Sequence, residues 1–218
     1  MAPVEEHRAL NDRLISVKSP QKLAKAQAKE FRKQLEQELL EMVVMAWGSC
    51  SEVQDAFKLS HKERRKLNLY AVEHIGIPRI RNGEGCDLVL KELGIDDSEP
   101  AKELLWTFAV RGVGTVRVAN GEDWQSVFES LQIKRSKLAA DALDSNKLHL
   151  QRQAAAVTWA KRVENGEGRE TGAHTLPTGI DAQYYEDIYE TLREKLADGP
   201  DAYYDRLTRE LVAIYAKS

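Results

Sequence analysis

The residues best equipped for chemistry stand in "KLSHKERRKLNLYAVEHIGIPRIRNG", Lys58 to Gly83. Seven basic residues there (Lys58, Lys62, Arg64, Arg65, Lys66, Arg79 and Arg81) face only Glu63 and Glu73, a local balance of +5 in a chain of formal net charge −3. Lysine and arginine at this density neutralise phosphates, and the counterions released drive polyanion binding. At roughly 100° per residue, Lys62, Arg65 and Lys66 share about a 100° arc of a helix, with Leu67, Ala71 and Ile75 on the opposite side. An apolar stripe on one face and a cationic stripe on the other predict a nucleic-acid-binding face. Its expected members are Lys58, Lys62, Arg65, Lys66, Arg79 and Arg81.

Charge elsewhere is segregated. Lys134 to Arg162 carries seven basic residues against Asp141 and Asp144, but these scatter around the helical wheel and read as an ordinary solvated helix. From Ile180 onward nine acidic residues outnumber five basic ones, and six of the chain's seven tyrosines lie in this tail. Tyrosine is enriched at interface hot spots, which makes Tyr185, Tyr189 and Tyr204 candidates for self-association or for a protein partner. The competing and preferred reading is packing. Tyr184, Ile188, Leu192 and Leu196 form one apolar stripe, and Tyr203, Leu207, Leu211 and Ile214 form another.

Catalytic and metal signals are weak. No GxGxxG, GxxxxGK[ST] or HExxH occurs, and the glycines of "RNGEGC" and "RGVGTV" lack phosphate-cradling spacing. Cys50, His61, His74 and Cys86 are 11, 13 and 12 residues apart, whereas compact zinc sites pair ligands two to five residues apart. The two cysteines read as small buried apolar residues. No metal, cofactor or catalytic residue is expected, and the chain leans away from an enzyme.

The elements that must position these residues are mostly helical. Apolar steps of three and four predict helices over 19–46, "SEVQDAF", "SHKERRKLNLYAVEHIG" (capped at Ser60, closed at Gly76), 86–93, 99–110, 123–131 and 134–163. The single strand signal is "VGTVRVANG", where Val116 and Val118 alternate before Asn120-Gly121. "ENGEGRETGAHTLPTG", 164–179, reads as a boundary loop. Beyond it "DAQYYEDIYETLREKLADG" and "DAYYDRLTRELVAIYAKS" nearly repeat one another around Gly199-Pro200, the outline of an antiparallel helical hairpin.

The pair "SEVQDAF" and "HKERRKLNLYAVEHIG", joined by "KLS", has a helix-turn-helix outline. "LSHKERRKLNLYA" resembles the LS-x-x-E-R opening of helix-turn-helix regulators of the sigma-factor and LuxR type, over about a dozen residues. Pro78 and Arg79 depart from that pattern, standing where such domains place their next apolar helix, and no residue role is carried over.

The sequence therefore predicts a mainly α fold: a helical body over 1–165 containing a helix-turn-helix-like basic segment at 51–81, at most a short β ribbon, and an acidic, Tyr-rich antiparallel hairpin over 180–218. The expected function is non-catalytic binding of DNA or RNA, regulatory or coating. The alternative is a protein-interaction module, adaptor or inhibitor, whose basic face meets an acidic partner. A charged N-terminus, two cysteines and no long apolar run predict a soluble cytoplasmic protein without a membrane partner.

Overall fold

Local capping determines where most helices begin. A computed structural model of the chain describes residues 50–51, 54, 58–95, 99–133, 140–174 and 181–217. The helix expected over 19–46 and most of "SEVQDAF", the first arm of the helix-turn-helix outline, lie outside them. Helix α1 (His61–Ala71) starts where Ser60 and Glu63 form a capping box, the Glu63 carboxylate accepting from the Ser60 N–H at 2.8 Å. It does not end at Gly76. A π-helical segment, Val72–Gly76, carries it into α2 (Ile77–Arg81). Gly76 keeps an ordinary helical φ of −63° and serves packing, since a Cβ there would meet Leu105 Cδ1 at 3.2 Å. Pro78 falls in the turn directly after the π segment.

Helix α3 (Cys86–Leu93) ends at Gly94, whose left-handed φ of 63° suits glycine. Helix α4 (Glu99–Phe108) runs through a second π segment, Ala109–Gly114, into α5 (Thr115–Ala119). The strand expected at "VGTVRV" is thus helical, and no strand occurs among the described residues. Ala109, Val110, Gly112, Val113, Gly114, Thr115, Val116 and Val118 are all buried. A helix enclosed on most of its circumference shows apolar residues at every spacing, including alternate ones. Burial here overrides the weak β preference of valine.

Helix α6 (Trp124–Ser130) is capped by Asp123, which accepts the Ser126 N–H at 2.9 Å. The long α7 (Ala140–Glu164) follows. The expected boundary loop contains a short helix, α8 (Arg169–His174), tied to α7 where the Trp159 indole donates to the Arg169 carbonyl at 3.1 Å. Helix α9 (Ala182–Leu196) is capped by Asp181, and α10 (Pro200–Tyr215) opens on Pro200.

The fold is mainly α, and the described residues form two apolar clusters. The larger gathers Leu67, Ile80, Val89, Leu105, Phe108 and Leu150, and takes Tyr203, Tyr204, Leu207 and Leu211 from α10. The smaller joins Ala156, Trp159 and Ala160 of α7 to Ala173 of α8 and to Ala182 and Tyr185 of α9. Accordingly α9 lies along α7, while α10 lies against α4 and the second π segment. The two last helices touch each other but place their buried tyrosines in different clusters. The α10 stripe stops at Leu211: Ile214, expected within it, is 60% exposed.

Candidate nucleic-acid interface

Ser60 places α1 so that Leu67 and Ala71 are buried while Lys62 and Lys66 are exposed on the other side, with Arg65 half-buried between them. Ile75 is half-buried. Lys58 is exposed in the preceding turn, at a left-handed φ of 47°. The Arg65 guanidinium donates to the Tyr215 carbonyl at 3.3 Å, at the C-terminal end of α10, where the helix dipole favours a cation. That bond brings α10 beside α1.

Between them opens a cleft of about 390 Å³, lined among others by Lys62, Arg65, Lys66, Tyr70, Val212 and Lys217. Among the described residues its single lining carboxylate is Glu73, which lies 3.8 Å from His74 Nε2. The Tyr70 ring sits against the His74 ring, centroids 4.1 Å apart and planes tilted by 45°. Tyr70 and Lys217 escaped the sequence reading. Tyr70 follows Lys66 by one helical turn, a spacing legible in the chain itself. Lys217 reaches the cleft only through the docking of α10, which no spacing reveals.

Arg79 and Arg81 do not extend this face. A π segment adds a residue to a helical turn, so the face beyond it is rotated by roughly 100° relative to an uninterrupted α-helix. Arg79 Nη2 meets the Glu84 and Glu92 carboxylates, each at 2.5 Å. The Arg79 bond holds the Glu84 carboxyl below its usual range. Arg81 reaches Asp201 at 2.5 Å and Asp205 at 3.1 Å and lies 5.0 Å from the centroid of the Tyr204 ring. Both guanidinium groups are held in ion pairs within the fold, Arg81 pinning the start of α10 to the end of α2.

The candidate partner-binding tyrosines are also mostly internal. Tyr185 is fully buried, and Tyr204 is buried between Arg81 and the Phe108 ring, whose centroid is 5.8 Å away. Tyr189 is half-buried at the edge of the smaller cluster. Cys50 and Cys86 are buried free thiols. Burial raises both thiol pKa values, that of Cys50 to about 12, which removes the thiolate needed for nucleophilic attack.

No family profile, curated protein or solved structure matches the chain. Among the described residues no helix is long and apolar enough to cross a membrane.

Proposed function

We propose that the protein binds nucleic acid without catalysis, through a face built from Lys58, Lys62, Arg65, Lys66 and Lys217. The observation that carries this reading is the convergence of four cations on one cleft with a single lining carboxylate among the described residues, and with Tyr70 in its wall. Cations so arranged follow a phosphate backbone, and an aromatic ring beside them can stack on a base. Stacking requires an unpaired base, which favours single strands over duplex. Arg79 and Arg81 take no part; they hold the scaffold that presents the face.

Fluorescence anisotropy of labelled single-stranded and duplex oligonucleotides, at low and moderate salt, tests the proposal. Lys62→Gln/Lys66→Gln should weaken binding to all sequences alike and lower the single-strand salt slope by about 0.7 for each phosphate no longer neutralised. Both lysines are exposed, so the melting temperature should stay near that of the wild type. Binding that is absent at low salt, or indifferent to the double substitution, refutes the reading and leaves an acidic protein as the partner of this face.

A further inference from the structure

A second concave site lies between α7, α9 and the second π segment. It encloses about 420 Å³, and its charged lining consists of Arg111, Arg152 and Lys195 against Asp187, with His149 among them. No ion pair joins any of the three cations to a carboxylate among the described residues. Asp187 instead accepts a hydrogen bond from the Gln183 amide at 2.8 Å. Its described lining therefore carries a surplus of two positive charges before His149 is counted.

The two arginines have partners that position them. The Arg111 Nε donates to the Asn146 amide oxygen at 3.2 Å, and the Arg111 carbonyl accepts from the Tyr203 hydroxyl at 2.5 Å. Arg152 stands 5.9 Å from the centroid of the Tyr184 ring. Two guanidinium forks and an ammonium around one hollow match a tetrahedral oxyanion, because each fork can donate two parallel hydrogen bonds. Beside them Leu148, Ile188 and Tyr184 offer apolar surface, suited to the organic body of a ligand. The His149 ring feels the same field: burial first, then Arg111, Lys195 and Arg152, depress its pKa.

We propose that this cleft binds a small phosphate ester, its dianionic phosphate gripped by Arg111, Arg152 and Lys195 and its organic group resting on Tyr184, Leu148 and Ile188. The site is separate from the α1 face and shares no lining residue with the cleft there.

Titration calorimetry of the full chain with inorganic pyrophosphate and with phenyl phosphate tests this, alongside sodium chloride at matched ionic strength. Both phosphates should bind in the wild type and shift the His149 ring resonances, while chloride does neither. Arg152→Gln and Lys195→Gln should each weaken binding roughly tenfold, as expected on removing a charge-assisted hydrogen bond. Lys195 is exposed, so its variant reports even where Arg152→Gln fails to fold. Lys62→Gln/Lys66→Gln should keep the wild-type phosphate affinity, which separates failure here from failure at the α1 face. Absent binding, or affinity unchanged in both pocket variants, overturns the proposal. So does a single-stranded oligonucleotide that displaces pyrophosphate from Lys62→Gln/Lys66→Gln, since the cleft would then belong to a nucleic-acid surface.

Discussion

His149 ought to make the protein sensitive to mild acid. Its pKa is pushed down from 6.5 to about 4, by burial first and then by Arg111, Lys195 and Arg152. Asp187 on α9 is the one carboxylate in the same lining among the described residues. A histidine with a depressed folded value binds fewer protons folded than unfolded, so stability rises with pH across that interval. The contribution is in place above the unfolded value, begins to fall as the pH drops through 6.5, and is fully lost below about 4. From these two values, acidification from about pH 7 to pH 5 removes about 2 kcal/mol through this one side chain. His149→Gln keeps a polar side chain of similar reach that does not titrate. Urea unfolding of wild type and variant at the two pH values gives the difference directly, because every other titrating group is common to both proteins. The variant should lose about 2 kcal/mol less than the wild type on acidification. Parallel losses would refute the reasoning and show that His149 gains its proton as freely folded as unfolded.

The packing of the last helices sets two further expectations for stability. Leu192 is buried and Ile214 exposed, so Leu192→Asp should cost several kcal/mol while Ile214→Asp stays within about 0.5 kcal/mol of the wild type; equal effects in thermal melts would mean the α10 surface is assigned wrongly. Arg81→Met removes two ion pairs and a cation–π interaction from a side chain that is 28% exposed, with Asp201 89% exposed. Solvent screening limits the cost to about 1 kcal/mol, shrinking as salt is raised, and a salt-independent cost in urea melts would argue against an electrostatic clamp.

How far the fold is legible in the chain follows from the range of the interaction involved. Caps act within four residues, and the beginnings of α1, α6 and α9 at Ser60, Asp123 and Asp181 are readable because each cap closes on a backbone N–H or carboxylate within that distance. Gly94 marks the end of α3 for the same local reason. Gly76 misleads because a glycine that ends a helix and one that lets two helices approach have the same sequence signature; only Leu105, 29 positions away in the numbering, distinguishes them. The valines of α5 mislead likewise, since a helix packed against α7, α6 and the second π segment no longer has a polar face to display its period.

The charged sites separate along the same line. Lys62, Arg65 and Lys66 belong to one helix, so their common face is a matter of spacing. The positions of Arg79 and Arg81 depend on a π segment upstream and on acidic partners, those of Arg81 lying 120 and 124 residues away. The cationic hollow is less legible still. Arg152 and His149 lie on α7, a helix whose basic residues scatter around its circumference, Lys195 lies in the acidic tail, and Arg111 falls between the helix expected to end at residue 110 and the strand signal that begins at Val113. Each alone has an ordinary explanation as a solvated charge. Their chemistry arises because α9 docks along α7 through Tyr185 and Trp159, bringing Lys195 to Arg152, while Tyr203 of α10 binds the backbone of Arg111. Two buried tyrosines of the tail, Tyr185 and Tyr203, thus assemble the pocket from within the core.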